Sequence, residues 1–248
     1  MVIAAPPDLA GVKAIFFDYM GTCLDWHSSV VAALPQDIAI NTRSSLAIAL
    51  REAFFADIHT RFEQRLPPED IDATHARLLG VLLQSKQFEY ISVNAEERNK
   101  VIEAWHHMSA WPDVPPALDK LRERYELFVL ANGTTRLQLD LTRSSGLPFD
   151  MLLSSQLLGV TKPDPDMYRK ALQLVGVLPE ESVMVAAHAY DLRAAKKVGM
   201  RTIYVRRWTE DTLENMEAVK QDVDWFLSGT GEVGSTDGSF ISLVELPS

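Results

Sequence analysis

The sequence predicts an α/β protein: a Rossmann-like parallel sheet with helices on both faces, plus an inserted helical cap. From residue 112 onward, short apolar segments typical of buried strands alternate with helical segments, and their connections are short. This alternation favours parallel strands covered on both faces. A first strand candidate, residues 12–17, is followed by another only after about a hundred residues of helical pattern.

Local patterns place the individual elements. Within the insertion, residues 43–65 carry an apolar residue at every fourth position, which marks one helix face: Leu46, Leu50, Phe54, Ile58 and Phe62. The other helices are predicted at residues 70–84, 95–108, 115–125, 136–144, 164–175 and 192–198. The later strands are predicted at residues 126–131, 151–154, 182–187 and 202–205.

The insertion divides the chain into two predicted domains. A chain of 248 residues fits a core domain with a smaller insert. We expect an α/β core of residues 1–26 and 112–248, and a helical cap domain of residues 27–111.

Composition narrows the class of protein. The net charge of -10 argues against general binding of nucleic acid or of an anionic membrane. The single cysteine, Cys23, excludes an intramolecular disulfide framework and a cysteine-rich zinc site. No segment approaches the ~20 apolar residues of a membrane-spanning helix. We therefore expect a cytoplasmic protein without nucleic-acid or membrane partners.

Polar residues stand where three predicted strands end. Asp18 follows the first strand, Asn132 the second, and His188 with Asp191 a later one. In parallel sheets the carboxyl ends of the strands form the site. A carboxylate there can act as a nucleophile when a nearby cation keeps it ionised. The same pattern suits an aspartate that only accepts hydrogen bonds from a turn.

Four segments in order resemble the motifs of the haloacid dehalogenase superfamily. The segments are Asp18-x-x-Gly21-Thr22-x-x-Asp25, Ala131-Asn132-Gly133, Lys162-Pro163-Asp164-Pro165, and Asp191 after its strand. The helical insertion and the run from Tyr19 to Ser29 resemble the 2-haloacid dehalogenase (type II) branch. Together they span most of the chain, so the set is far more specific than any one piece.

The resemblance implies a function and a set of residues. It implies a hydrolase similar to (S)-2-haloacid dehalogenases, which displaces halide from a small anionic 2-haloacid through an aspartyl ester and gives a 2-hydroxy acid. The implied catalytic residues are Asp18, Lys162, Asp191, His188 and Thr22, and the implied substrate-binding residues are Met20, Arg51, Asn132 and Tyr190. Guanidinium suits a planar carboxylate, which supports Arg51, although Arg43 lies nearby as a competitor.

Two positions separate this chain from the phosphatases of the superfamily. Those enzymes have an acidic residue at the position of Met20, where it protonates a leaving alkoxide; halide needs no proton. They also place a carboxylate at the position of Ala187, which helps to hold magnesium. We therefore expect neither a metal nor any other cofactor.

Other positions depart from the dehalogenase pattern. Ala131 and Ala186 stand where the branch has serine, His188 where it has asparagine, and Glu52 where an amide is usual. His188 could act as donor or base, or could be a structural imidazole. Two alternatives stay open: a hydrolase of the same fold acting on a non-halogenated metabolite or a phosphate ester, and a catalytically silent binding protein. An apolar face of the cap could also support a homodimer.

Overall fold

The computed structural model describes residues 9–67, 69–230 and 232–245. The chain forms two compact units, one from the residues up to Asp25 together with those from Ala110 onward, the other from Trp26–Ser109. The chain passes from one unit to the other at two points in the sequence. The two-residue strands β2 (Leu24–Asp25) and β3 (Ser109–Ala110) lie at these points. Among the described residues, no helix is both long and apolar enough to cross a membrane.

The first unit is built on six parallel strands in the order β5-β4-β1-β6-β7-β8. Their bounds are β1 Ala14–Phe17, β4 Glu126–Ala131, β5 Met151–Ser154, β6 Ser182–Ala186, β7 Arg201–Val205 and β8 Trp225–Leu227. β1 pairs with β4 on one side and with β6 on the other, so that Phe16 lies opposite Phe128 and Met184. The predicted α/β class, with its parallel sheet and helical insertion, is confirmed.

Helices and short 3-10 turns connect these strands. They are α5 Val114–Leu121, α6 Thr135–Ser145, α7 Ser155–Leu158, α8 Pro165–Val175, α9 Ala189–Val198 and α10 Met216–Asp222, with 3-10 turns at Pro179–Glu181 and Phe240–Leu243. Local chemistry sets the bounds of α8: the side chain of Asp164 accepts a hydrogen bond from the amide of Asp166, and Gly176 ends the helix with a φ of +79°.

β1 is buried along its whole length, which places its carboxyl end deep in the unit. All four residues are at most 2% exposed, and successive side chains point to opposite faces, so both faces of the sheet are covered here. On one face Phe16 stacks on Phe128, and on the other Phe17 packs against Phe149 and Phe240. A polar residue that follows β1 therefore emerges between two apolar layers.

The described residues of the second unit form four helices. They are α1 Trp26–Ala33, α2 Ile40–Glu63, α3 Ile71–Leu83 and α4 Ala95–Ala104. Leu46, Leu50 and Phe54 of α2 are buried, as their spacing predicts, whereas Phe62 near its end is exposed. α4 begins with a reciprocal capping box between Asn94 and Glu97.

Several bounds differ from those expected from the sequence. α4 ends at Ala104 rather than at residue 108, and α5 ends at Leu121 rather than at residue 125. The apolar pattern continues past each helix because the residues that follow, Trp105, Met108 and Tyr125, are buried although they are not helical. α1, α7, α10 and β8 were not predicted. The difference that matters most is that α9 begins at Ala189 rather than at residue 192, which puts Asp191 in its first turn.

Candidate active site

Asp18 follows the last residue of β1, and its two carboxylate oxygens have different partners. Oδ2 accepts a hydrogen bond from Thr22 Oγ1 at 2.7 Å and lies 3.1 Å from His188 Nδ1. Oδ1 accepts a hydrogen bond from Lys162 Nζ at 3.0 Å. Asp18 is 7% exposed, so these bonds form largely out of water. One oxygen is thus held by two groups and the other by one.

The turn after β1 brings the hydroxyl of Thr22 to the carboxylate of Asp18. Cys23 and Leu24 donate their amides to the carbonyl of Tyr19, which closes the turn, and Gly21 has a φ of +85°. Thr22 Oγ1 also accepts a hydrogen bond from the amide of Ala187 at 2.8 Å. This hydroxyl therefore joins the end of β1 to the end of β6.

Lys162 is fixed through its main chain by Asn132. The side-chain oxygen of Asn132 accepts from the amide of Lys162 at 2.8 Å, and its side-chain nitrogen donates to the carbonyl of Lys162 at 3.2 Å. Lys162 Nζ then donates to both Asp18 and Asp191, the latter at 2.5 Å. Asn132 was expected to contact substrate. In the structure both ends of its amide hold the residue that carries the ammonium, and its contact with substrate stays a prediction.

Asp191 is enclosed by two donors. Its Oδ2 accepts from Lys162 Nζ, and its Oδ1 accepts from the hydroxyl of Tyr168 on α8 at 2.6 Å. Its side chain has no exposed surface. Burial raises the pKa of Asp191, and Lys162 opposes this effect. The result is a buried carboxylate with a stronger affinity for a proton than an ordinary aspartate.

Charges around Asp18 decide its ionisation. Burial would raise the pKa of Asp18, but the positive charges of Lys162 and His188 outweigh burial and hold its pKa well below the usual range. Burial likewise opposes the charge on Lys162, yet Asp18 and Asp191 together raise its pKa. Asp18 is therefore a carboxylate, and Lys162 an ammonium, throughout the neutral pH range.

His188 lies between two carboxylates. Its Nδ1 faces Asp18, and its Nε2 lies 2.7 Å from Glu210 Oε2. Burial would lower the pKa of His188, but Asp18 and Glu210 raise it to about 10. The imidazole is thus protonated on both nitrogens at neutral pH. Of the two roles considered for His188, that of a charged donor to Asp18 fits this arrangement.

Met20 and Tyr190 lie at the edge of this cluster. Met20 is half-buried in the turn after β1 and forms an isolated bridge with Leu24. The half-buried ring of Tyr190, in the first turn of α9, has its centroid 5.7 Å from that of His188. Both can therefore contribute apolar surface beside the polar groups.

Arg51 belongs to the second unit, where it lies among aromatic rings. Its guanidinium carbon is 4.4 Å from the ring centroid of Phe55, 5.4 Å from that of Trp26 and 5.9 Å from that of Trp105. Burial and then the charge of Arg51 lower the pKa of the neighbouring His75 to about 3, so that ring is neutral. Arg51 is 4% exposed, which sets it apart from a solvated helix-surface arginine. By contrast, the half-buried Arg43 donates to the carbonyl of Val31.

Two residues of the cluster were not predicted. Glu210 follows β7 by five residues, so the signal used for Asp18, a carboxylate beyond a strand end, was present in the run Thr209-Glu210-Asp211. Tyr168 gave no such signal, because a tyrosine on the apolar face of a helix resembles an ordinary core residue.

The residues present do not fit a magnesium site. Magnesium takes an octahedral shell of oxygens, usually including one or two carboxylates. Here Asp18 and Asp191 both accept from the Lys162 ammonium, and His188 places a second cation at Asp18. Within the described part of the chain, no group of three or more histidine, cysteine, aspartate and glutamate side chains is arranged to hold a metal ion.

Comparisons with known proteins show which family this chain resembles. A family model described as haloacid dehalogenase-like hydrolase matches residues 12–199. (S)-2-haloacid dehalogenase 4A of Burkholderia cepacia is 28% identical over 203 residues, which cover 79% of this chain and 84% of the relative. Phosphoglycolate phosphatase of Aquifex aeolicus is 26% identical over 198 residues, covering 77% of this chain and 83% of the relative.

Solved structures give the same result. A crystal structure of an L-2-haloacid dehalogenase matches with a TM-score of 0.77 and 30% sequence identity, covering 94% of this chain and 97% of that one. The resemblance to the 2-haloacid dehalogenase branch is confirmed by these relatives, while the phosphatase shows that neighbouring activities share the fold. The family model spans residues on both sides of the helical insertion and includes Asp18, Lys162 and Asp191. This chain belongs to the haloacid dehalogenase-like hydrolases.

Proposed function

We propose that this hydrolase displaces halide from a 2-haloacid through an ester on Asp18 and releases a 2-hydroxy acid. The observation that carries the proposal is the state of Asp18: a buried carboxylate kept ionised by Lys162 and His188, with its two oxygens in different surroundings. A nucleophile that is desolvated yet charged is what displacement at carbon requires.

In the first half-reaction Oδ1 of Asp18 attacks the carbon that carries the halogen. The new carbon–oxygen bond uses an electron pair of the carboxylate, and the carbon–halogen bond breaks with its electrons on the halide. Oδ1 is the better candidate because Lys162 is its donor, whereas Oδ2 faces both Thr22 and His188. Oδ2 then remains as the carbonyl oxygen of the ester.

In the second half-reaction water attacks the carbonyl carbon of the Asp18 ester. Negative charge gathers on Oδ2, where Thr22 Oγ1 and His188 Nδ1 are already in place as donors. The proton of water passes to Asp191, whose raised pKa favours its uptake. Lys162 gives a proton to the departing alkoxide, and the bond between Asp191 and Lys162 lets a proton return to the ammonium. The water oxygen stays in Asp18 and Oδ1 leaves in the product, while the second proton of water is released to solvent as Asp18 returns to the carboxylate.

The choice of a haloacid over a phosphate ester depends on what the site offers the leaving group. Halide leaves as an anion, and Met20 supplies no proton, which suits a leaving group that needs none. Nor do the described side chains form the oxygen shell that magnesium would need to balance a phosphoryl group. A substrate carboxylate is proposed to bind Arg51, whose guanidinium is presented from a largely apolar, aromatic surrounding.

The test is a substrate screen that measures free halide and free phosphate in parallel. We expect halide release from 2-haloacids, and loss of several orders of magnitude in Asp18→Asn, because the variant lacks the nucleophile. The exposed Asp119→Asn serves as a matched control and should retain wild-type rates. Phosphate release without halide release would contradict the proposed chemistry.

Isotope labelling tests the covalent step independently. After a single turnover in oxygen-18 water, mass spectrometry should find the label in the peptide that contains Asp18 and not in the 2-hydroxy acid. Label in the product after one turnover would mean that water attacks the substrate directly, with Asp18 acting only as a base.

A further inference from the structure

A second carboxylate stands behind the imidazole that faces Asp18. Asp18, His188 and Glu210 form a chain in which Nδ1 of the imidazole is 3.1 Å from Asp18 Oδ2 and Nε2 is 2.7 Å from Glu210 Oε2. The side chain of Glu210 has no exposed surface, and that of His188 is 4% exposed. A buried carboxylate at this distance makes a strong, charge-assisted bond to a protonated imidazole.

The surrounding residues make room for the Glu210 carboxylate and hold it. A Cβ atom on Gly21 would lie 2.5 Å from the carboxyl carbon of Glu210, so this contact is open only to a residue without a side chain. Thr209 Oγ1 donates to Glu210 Oε1 at 2.9 Å, which leaves Oε2 for the imidazole. Arg207, which starts this turn, donates to the carbonyl of Thr22. The orientation of Glu210 is therefore set from both sides.

Other ionisable groups near His188 have partners of their own. Lys162 is held between Asp18 and Asp191. Asp211, next in sequence to Glu210, accepts from the amide of Ala189 at 2.6 Å and from the hydroxyl of Tyr204 at 3.3 Å. The nearby Tyr190 contributes its ring. The imidazole itself is bonded to the carboxylates of Asp18 and Glu210.

These two carboxylates behave differently during the reaction. When Asp18 becomes an ester, it loses its negative charge, and one of the two anions that favour the charged imidazole is gone. Glu210 is not altered by ester formation and still faces Nε2 of the imidazole. If the imidazole then became neutral, the carboxylate of Glu210, which can only accept, would retain the remaining proton on Nε2. Nδ1 would turn a lone pair toward the ester carbonyl, and His188 would cease to be a donor there.

We propose that Glu210 is a positioning residue that keeps both nitrogens of His188 protonated while Asp18 is an ester, so that Nδ1 goes on donating to Oδ2. The ester-stage part of this assignment rests on the proposed function. His188 stabilises the charge that gathers on Oδ2 and returns to the resting state without giving up a proton. Glu210 acts through His188 and does not touch the substrate.

The first test needs no substrate. Nuclear magnetic resonance of the protein labelled with nitrogen-15 in its 6 histidines, with His188 assigned by comparison with His188→Asn, reports the proton on each ring nitrogen. In the wild type both nitrogens of His188 should remain protonated to about pH 10. In Glu210→Gln, proton loss should move to lower pH by at least one unit. A wild-type His188 with only one proton at neutral pH would overturn the assignment without any variant.

The second test follows the ester by rapid quench and mass spectrometry with a 2-haloacid that the wild type turns over. Glu210→Gln should still release a first equivalent of halide, but ester hydrolysis should slow by about 100–1000-fold, as for loss of one oxyanion donor. The ester should then accumulate on Asp18, and the alkaline limb of the rate profile should shift to lower pH. Glu214→Gln, which alters an ion pair with Arg193, is the matched control and should change none of these readings.

Failure of this inference differs from failure of the proposed function. If no haloacid yields halide or an ester, the dehalogenase proposal is wrong, and the histidine titration still decides whether Glu210 holds the proton on His188. If halide is released and Glu210→Gln leaves both the titration of His188 and the lifetime of the ester unchanged, the positioning role is wrong. Should Glu210→Gln fail to fold, the wild-type titration alone can refute the assignment.

Discussion

Replacing Lys162 with methionine should destabilise the fold, because the ammonium lies between two buried carboxylates. Its side chain is 1% exposed, and its nitrogen donates to Asp18 at 3.0 Å and to Asp191 at 2.5 Å. Methionine fills a similar volume without the charge. Among the described residues, the variant would leave Asp191, which has no exposed side-chain surface, with the hydroxyl of Tyr168 as its side-chain donor.

The size of the effect follows from the burial of the pair. Removing one partner of a buried ion pair costs about 3–5 kcal/mol, since an uncompensated charge remains. For a protein of 248 residues this loss corresponds to a fall of roughly 6–20 °C in melting temperature. Catalysis should fall as well, because Lys162 is the proposed donor to the departing alkoxide.

The pH dependence gives the sharper assay. Burial already raises the pKa of Asp191, and without Lys162 it should rise further. A carboxyl whose pKa is raised in the folded state destabilises the fold when it ionises. The stability of the fold is therefore regained as pH falls and the carboxyl binds a proton. The gap in melting temperature between wild type and Lys162→Met should therefore be largest above pH 7 and should narrow toward pH 5. Differential scanning calorimetry at several pH values measures it.

A control separates this effect from general loss of a lysine. Lys13 also pairs with a carboxylate, that of Glu181 at 2.6 Å, but its side chain is 62% exposed. Lys13→Met should therefore stay close to the wild type at every pH, because exposed ion pairs contribute little. Equal losses for Lys162→Met at pH 5 and pH 8 would show that the ammonium does not neutralise Asp191.

Two further predictions concern the substrate and the metal. Arg51→Lys keeps the charge but loses the planar guanidinium, so activity toward a carboxylate substrate should fall at least tenfold. Arg43→Lys, the control, should retain most of the activity. Equal activity of the two variants in steady-state assays would show that Arg51 does not bind the substrate. Turnover should be unchanged by a chelator, and added magnesium should not create phosphate release, since Lys162 and His188 provide the positive charge at Asp18. Strong magnesium-dependent phosphate release would contradict the dehalogenase branch.

The sheet could be predicted from the sequence because its signals are local. β1 is an unbroken apolar run, and α8 carries its own cap residues, Asp164 and Gly176. The start of α9 could not be predicted in this way. The amide of Ala189 donates to the carboxylate of Asp211, which lies 22 residues further along the chain, so a tertiary contact sets the first turn. The three-residue edge strand β8 is too short for its pattern to be recognised.

The candidate site likewise contains residues that could be predicted from the sequence and residues that could not. Asp18, Lys162 and Asp191 could be named from motifs, and the structure places both carboxylates within hydrogen-bonding distance of the Lys162 ammonium. The part played by Asn132 could not be inferred, because its partner is the main chain of Lys162 rather than a side chain with a recognisable pattern. Glu210 was missed for a similar reason, since only the folded chain brings it to an imidazole 22 residues away.

The close approach of Glu210 to Gly21 limits how this site can be introduced into a related protein by mutation. In the dehalogenase pattern that this chain resembles, asparagine stands at the position of His188. Introducing histidine alone into a chain with that asparagine would supply a ring without the anion behind it, and introducing glutamate alone would bury a charge without its cation, at a cost of several kcal/mol. The histidine and the glutamate must therefore be exchanged together, on a turn whose glycine leaves space for the carboxylate. In a survey of related sequences, the two positions should change as a pair.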